Sequence, residues 1–412
     1  MVTRRFHRRK TLSRRRTGGR GRGRGFGRLN IDWRPILLFG GIAVGVIALV
    51  LVIIFVIVPL FGGGGTPTAT STPSATITPA ATPIARPDMS ETEKELTIGY
   101  KSINDPYIYG NEMIFSTGNK LESAPDLVTL AIYNFESGEV AEVSGIQKKN
   151  NSLFEPKLND KYIVYLDCKS EYGGTIMGVD RATNESFVIR EYLYGKPRVS
   201  ISGQYAVWMQ QTGKGTDRLY IFDLATKEFA ELETFINTYF SYSAAYVGDD
   251  AIVYVQPEGE SGMTTQEHSS ASDKAEVVVL PLVDGGDTKA IRFVPGTFVY
   301  NPLIEGDYIV YLNGTGNADS ELMMCKKTGD TYSAPVSIAK GVLNYDVGDG
   351  YLVYTLNNTV YIYYFADGST GRLSSEQTRA MLGSANGKNV VWYDITDGLD
   401  SPSNVIMHIA VP

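Results

Sequence analysis

Two cysteines and three histidines in 412 residues leave few of the side chains on which much enzyme chemistry depends. Cys168 and Cys325 stand far apart in the chain and fall in the second and fifth copies of a sevenfold repeat. Around a closed ring those copies are well separated, whereas disulfide geometry needs Cα atoms within about 7 Å. A disulfide scaffold is therefore excluded, and both thiols read as free or buried. His7 lies in a basic arm, His268 in a Ser/Thr-rich loop and His408 in a late strand. A hydrolytic triad or a histidine-rich metal site needs more convergent groups than these. Asp319, Asp394, Asp397 and Asp400 sit in loops without the spacing of a calcium-binding EF-hand. No catalytic residue, metal or cofactor is expected.

Acid is nearly missing from residues 1–35, where thirteen arginines and lysines face Asp32 alone, a charge of +12. The whole chain carries −7, so the remainder carries −19. Charge of either sign is missing from Ile36–Phe61, 26 residues that at about 1.5 Å each exceed the roughly 30 Å of a bilayer core. A cleaved signal peptide has an apolar core of only about 7–15 residues, so an uncleaved transmembrane anchor is expected here. Arginines flank only its N-terminal side, which puts the arm in the cytoplasm and the C-terminus outside. The arm, 1–35, is expected to be disordered, with anionic lipid headgroups rather than nucleic acid as its partner. Residues 62–92 are rich in Pro, Thr, Ser and Gly, a composition that builds no core and reads as a disordered, extended linker.

Beyond the linker, residues 93–412 repeat one short strand seven times, beginning at Glu112, Tyr162, Tyr205, Ala251, Tyr308, Tyr351 and Asn389. The fourth residue is aromatic every time: Phe115, Tyr165, Trp208, Tyr254, Tyr311, Tyr354 and Trp392. The copies lie 50, 43, 46, 57, 43 and 38 residues apart, the period of a four-stranded propeller blade. In Tyr162-Ile163-Val164-Tyr165 both faces are apolar, as in a strand sandwiched between two neighbouring sheets. Short Gly, Asn and Asp turns precede each copy. The seventh copy lacks a fourth strand, which Glu95–Tyr100 can supply from the start of the domain, closing the ring and removing exposed edges. The expected fold is all-β, a seven-bladed β-propeller preceded by one transmembrane helix and the stalk. Six blades is the alternative if the Glu112 copy is not a blade.

The pairing of a YxVY-type second strand with a third strand and turn such as Leu219-Tyr220-Ile221-Phe222-Asp223-Leu224-Ala225-Thr226 resembles TolB-type propeller repeats over residues 93–412. It departs from that repeat before the second strand, where short Asn/Asp/Gly turns replace a Ser-Pro-Asp-Gly turn. Tryptophan–aspartate signatures, kelch glycine doublets and sialidase aspartate boxes are all missing. The resemblance implies a binding propeller and brings no catalytic residue with it.

Counting back seven residues from each second strand gives Asp105, Glu155, Arg198, Ala244, Asn301, Asn344 and Leu382. Inner strands begin near a propeller's axis, so this column is the candidate channel mouth, with Asp105, Glu155, Arg198, Asn301 and Asn344 as candidate ligand-binding residues. The loops after the second strands open on the same side: Asp167–Gly174, Gln210–Asp217, Gln256–Lys274, Leu312–Ser320 and Ile395–Asn404. The expected function is a membrane-anchored, extracytoplasmic, non-catalytic scaffold at the cell surface or envelope that binds a protein or glycan on its loop face. The alternative is a glycan-processing enzyme using paired carboxylates at the channel mouth.

Overall fold

The computed structural model describes residues 92–118, 127–169, 172–212, 216–236, 243–257, 275–282, 289–296, 298–314, 319–397 and 405–411. The basic arm, the apolar run Ile36–Phe61, the linker up to residue 91 and the loop segment 258–274 lie outside them, as do His7 and His268. Among the described residues no helix is long and apolar enough to cross a membrane.

Among the described residues seven antiparallel sheets follow one another along the chain. Strand β1 (Lys94–Glu95) comes first and belongs to the last blade. Blade one is β2 (Asn104–Tyr109), β3 (Glu112–Thr117), β4 (Thr129–Asn134) and β5 (Val140–Glu142). Blade two is β6 (Ser152–Leu158), β7 (Tyr162–Cys168), β8 (Gly174–Asp180) and β9 (Glu185–Tyr192). Blade three is β10 (Val199–Ser202), β11 (Tyr205–Gln211), β12 (Thr216–Asp223) and β13 (Phe229–Ile236). Blade four is β14 (Tyr246–Val247), β15 (Ala251–Pro257), β16 (Ala275–Pro281) and β17 (Ile291–Gly296). Blade five has β18 (Val299–Glu305), β19 (Tyr308–Asn313) and β20 (Glu321–Thr328), with β21 (Thr331–Tyr332) and β22 (Val336–Lys340) sharing the outer edge of β20. Blade six is β23 (Tyr345–Gly348), β24 (Tyr351–Leu356), β25 (Thr359–Tyr364) and β26 (Thr370–Arg372). Blade seven is β27 (Ala380–Asn386), β28 (Asn389–Asp394) and β29 (Ile406–Ala410), completed by β1.

Each repeated segment begins where its second strand begins, so the Glu112 copy is a true blade and the ring has seven. The reason for the aromatic repeat lies in the packing. Seven apolar clusters fill the seven gaps between neighbouring blades. Every fourth-position aromatic sits in the cluster facing the preceding blade, and none is more than 4% exposed. Alternate residues of the same strand face the following blade: Ile163 and Tyr165 join the gap to blade one, Tyr162 and Val164 the gap to blade three. A large flat ring at one fixed register fills the widening gap between two twisted sheets.

Closure follows the expected route in a shorter form. Only Lys94 and Glu95 pair with β29, opposite His408 and Met407, and the Leu96 N–H adds a 2.8 Å bond to the Ile406 carbonyl. Residues 98–100, expected to continue the strand, leave the sheet; Gly99 takes φ +76° there. Leu96, Ile98 and Tyr100 instead bury their side chains between blades seven and one, beside Ile406 and Phe115. His408 closes the same seam, stacked on Phe135 of blade one at 4.5 Å with Nε2 2.8 Å from Asn389 Oδ1. Burial, helped by nearby Lys94, lowers its pKa to about 4, so it is neutral at pH 7. Cys168 and Cys325 are free, buried thiols in blades two and five.

Candidate functional site

The inner strands present one edge to the channel, and their amides there have no strand partner. Side chains of adjacent blades take up that edge. Asp105 Oδ2 accepts the Glu155 N–H at 3.0 Å, tying blade one to blade two. Asn159 Nδ2 donates to the Gly203 carbonyl at 2.8 Å, between blades two and three. Ser200 Oγ accepts the Val247 N–H at 3.1 Å, between blades three and four. Asn301 Oδ1 accepts the Ala244 N–H at 3.0 Å while the Asn301 N–H donates to Ser243 Oγ at 2.8 Å, between blades four and five. The Tyr345 hydroxyl donates to the Asn301 carbonyl, between blades five and six. Asp346 Oδ2 accepts the Ala385 N–H at 2.8 Å, and Asn344 Nδ2 donates to the Leu382 carbonyl at 2.7 Å, between blades six and seven. Ser384 Oγ accepts the Ile108 N–H at 3.2 Å and returns the ring to blade one.

Three of these inner strands carry a bulge at the same place, before a proline: Asp105-Pro106, Glu155-Pro156 and Asn301-Pro302. The residue before each proline lies in the left-handed region, at φ 50°, 46° and 51°. That conformation is uncommon for a side chain other than glycine and is kept only where its surroundings fix it. Here the interblade hydrogen bonds at Glu155 and Asn301 fix it.

Inside the ring lies a cavity of 710 Å³ to which all seven blades contribute lining residues. Of the sequence-derived column, Glu155, Arg198, Ala244, Asn301 and Asn344 line it, while Asp105 caps the Glu155 amide and Leu382 turns into the core between blades six and seven. Lys157, Asp346 and the rings of Tyr107, Tyr246, Tyr300 and Tyr345 line it as well, and were missed by the column. For Tyr107 and Lys157 a bulge is the reason, since an extra residue before each re-aims the side chains beyond it; Tyr246, Tyr300, Tyr345 and Asp346 lie outside a count that takes one residue per blade. Proline directly after an acid or amide was the available signal.

The charged groups of the cavity differ in how they are held. Asp346 is held by three donors: Oδ2 accepts from Ala385 N–H and from Ser384 Oγ, and Oδ1 accepts the Val347 N–H at 3.0 Å. Its pKa is raised by burial, with those bonds and the nearby Lys157 charge opposing. Burial also raises the Glu155 carboxyl; Lys157 opposes the rise, Asp105 adds to it, and Arg198 and Lys196 oppose it. No described group donates a hydrogen bond to that carboxyl or forms an ion pair with Lys157 or Arg198. Lys157 Nζ rests over the Tyr107 ring at 4.4 Å, and Lys196 Nζ over Phe154 at 3.5 Å. Burial holds the phenols of Tyr107, Tyr246 and Tyr345 protonated; Tyr345 donates its proton to the Asn301 carbonyl, while Tyr107 and Tyr246 are available as donors throughout the physiological range.

At the far ends of the inner strands the chemistry is acidic. Burial, then Asp349 and Asp249, push the Glu305 carboxyl up to about 7. A raised carboxyl pKa means that the ionised form is disfavoured in the folded state, so stability present below pH 4.5 is lost as pH rises towards 7. Glu305→Gln should therefore stabilise the protein by about 1 kcal/mol at pH 8, the full shift being screened because water reaches the group. The gain should vanish at pH 4. Urea titrations at both pH values check this, and an equal gain at both would contradict it.

No protein-family model matches the chain, and no curated protein matches it. Among solved structures, the β-propeller domain of the Trilobed protease from Pyrococcus furiosus, described as having an open velcro topology, aligns at TM-score 0.52 and 15% identity. That alignment covers 74% of this chain and 94% of that one. The acylaminoacyl peptidase of Pyrococcus horikoshii aligns at TM-score 0.48 and 13% identity, covering 71% of this chain and 49% of the peptidase. TolB from Acinetobacter baumannii aligns at TM-score 0.43 and 16% identity, over 65% of each chain. At such identities the likeness is one of fold: this chain is an all-β, seven-bladed propeller whose structural neighbours include TolB and peptidase propeller domains.

Proposed function

We propose that the protein is a membrane-anchored, extracytoplasmic propeller that binds an envelope ligand in its seven-blade cavity without transforming it. The observation that carries this reading is a contrast within one lining. The polar groups that join the blades are tied to one another, while among the described residues Lys157 and Arg198 make no ion pair and the Glu155 carboxyl accepts no hydrogen bond. Charges set in a cavity and left unpaired are groups whose partner arrives from outside. Binding is favoured over glycan hydrolysis because a two-carboxylate mechanism needs two free acids flanking one bond. Asp105 does not line the cavity and Asp346 is held by three donors, so Glu155 is the one lining acid whose carboxyl accepts no hydrogen bond from a described group. Anchoring rests on the uncharged run Ile36–Phe61 and the arginines before it.

The test is co-sedimentation of the full chain, in detergent micelles, with purified cell-wall sacculi of the source cell. Ala244→Trp is the comparison, since it places an indole in the cavity from a lining position. Wild type should sediment and the variant should stay in solution. Equal sedimentation of both would exclude the cavity as the site, and sedimentation of neither would exclude a wall ligand.

A further inference from the structure

The cavity also says what kind of ligand it suits. An extended peptide binding beside an inner strand needs free backbone amides to pair with. At this edge Ile108, Glu155, Ala244, Val247, Asn301 and Ala385 have already given their N–H groups to neighbouring side chains. Recognition in the cavity must therefore run through side chains. Those are of two sorts: tyrosine rings with flat apolar faces, and short amide and hydroxyl groups between them. The acceptor Oδ1 of Asn344 has no hydrogen-bond partner among the described residues, and the Tyr107 and Tyr246 phenols remain protonated donors. Such a mixture matches a sugar, which offers apolar C–H faces to aromatic rings and hydroxyls that both donate and accept. A volume of 710 Å³ falls within the roughly 300–1,000 Å³ of small-ligand sites, room for a short oligosaccharide and not for a folded domain.

Charge narrows the class. Lys157 and Arg198 come from adjacent blades, with Lys196 close by; Glu155 lies beside all three, and Asp346 lies near Lys157. The Asp346 carboxylate is already bonded to Val347, Ser384 and Ala385, which leaves Glu155 as the lining acid whose carboxyl accepts no hydrogen bond from a described group. Building on the cavity-binding reading above, we infer that the ligand is an acidic oligosaccharide whose sugar carboxylate is held by Arg198 and Lys157 while its rings lie against the cavity tyrosines. Arginine's planar fork suits a carboxylate, and Lys157 is held in place by the Tyr107 ring beneath it. Glu155 lies near enough to both cations to set the strength of that hold: as a like charge it weakens carboxylate binding.

Isothermal titration calorimetry of the full chain in detergent micelles at pH 7 tests this with three probes: trigalacturonate, its fully methyl-esterified form, and a triglutamate peptide. Trigalacturonate should bind at least tenfold more tightly than either of the others. Arg198→Gln and Lys157→Met should each weaken it about tenfold to a hundredfold, as loss of a charge-assisted hydrogen bond does. Glu155→Gln should strengthen it several-fold, a sign that general damage to the fold does not produce. Circular dichroism melting of each variant separates lost binding from lost folding, and Glu155→Gln keeps the test open if both cation variants unfold. An ester that binds as well as the acid, a peptide that binds as well as the sugar, or no heat with trigalacturonate would each overturn the inference. Should that happen while sacculi still sediment with wild type and not with Ala244→Trp, the cavity-binding reading stands and only the ligand class falls.

Discussion

Replacing Trp392 by alanine should destabilise the propeller by about 4 kcal/mol, whereas Trp392→Phe should change it by less than about 1 kcal/mol. The ring is fully buried at the fourth position of β28 and fills the gap between blades six and seven with Leu382, Val390 and Val353. Truncation leaves a cavity that rigid sheets on both sides cannot close, which places the loss at the upper end of large-to-small substitutions. Phenylalanine is different for a specific reason. Trp392 Nε1 is buried with no hydrogen-bond partner among the described residues, so the native indole carries a desolvation cost that a benzene ring removes. That gain offsets much of the smaller ring's lost packing. Trp208, the matching residue of blade three, places Nε1 3.3 Å from Gln210 Oε1 and provides the contrast. There, Trp208→Phe gives up a made bond as well as packing and should cost about 1–2 kcal/mol more than the same change at Trp392. Equal losses in urea titrations of the two phenylalanine variants would remove the argument.

The same fourth-position aromatics explain why so much of the fold is legible in one sequence. A blade interface needs a large side chain at one register in every copy, and the constraint recurs seven times, so chance resemblance is suppressed by repetition. Second strands are buried on both faces and tolerate few alternatives, which is why their first residues coincide with the repeats. The site is less legible because its geometry depends on bulges. Counting a fixed seven residues holds for Glu155, Arg198, Ala244, Asn301 and Asn344, which line the cavity, but it cannot see that Asp105 turns to cap the next blade or that Lys157 swings inward. The bonding of Asp346 to the next blade is also invisible in sequence, since its partners Ser384 and Ala385 lie 38 and 39 residues away. An acid held by three donors and an acid left free have the same one-letter pattern. Only the neighbour's register distinguishes them.

Closure of the ring carries the second large effect. Ile98→Asp should cost about 3–5 kcal/mol, while the double change Lys94→Ala, Glu95→Ala should cost no more than about 0.5 kcal/mol. The two paired residues of β1 are exposed, and pairing uses their backbone, which alanine retains. The closing segment is held by the row Leu96, Ile98 and Tyr100, all buried between the first and last blades, with the Tyr100 hydroxyl donating to Glu142 at 2.9 Å. An aspartate at position 98 must be buried without a partner or expel the segment from its gap. Expulsion exposes the facing sides of β3 and β28, including Phe115 and Val391, to water. The loss should therefore appear as a lower denaturation midpoint together with proteolytic cutting near residues 92–104 under conditions where wild type resists. If the alanine pair destabilises as much as Ile98→Asp, the side chains of Lys94 and Glu95 hold the closure and the buried row is not its anchor. If it does not, the side-chain share of the closure belongs to Leu96, Ile98 and Tyr100, the backbone pairing of β1 being intact in the alanine pair.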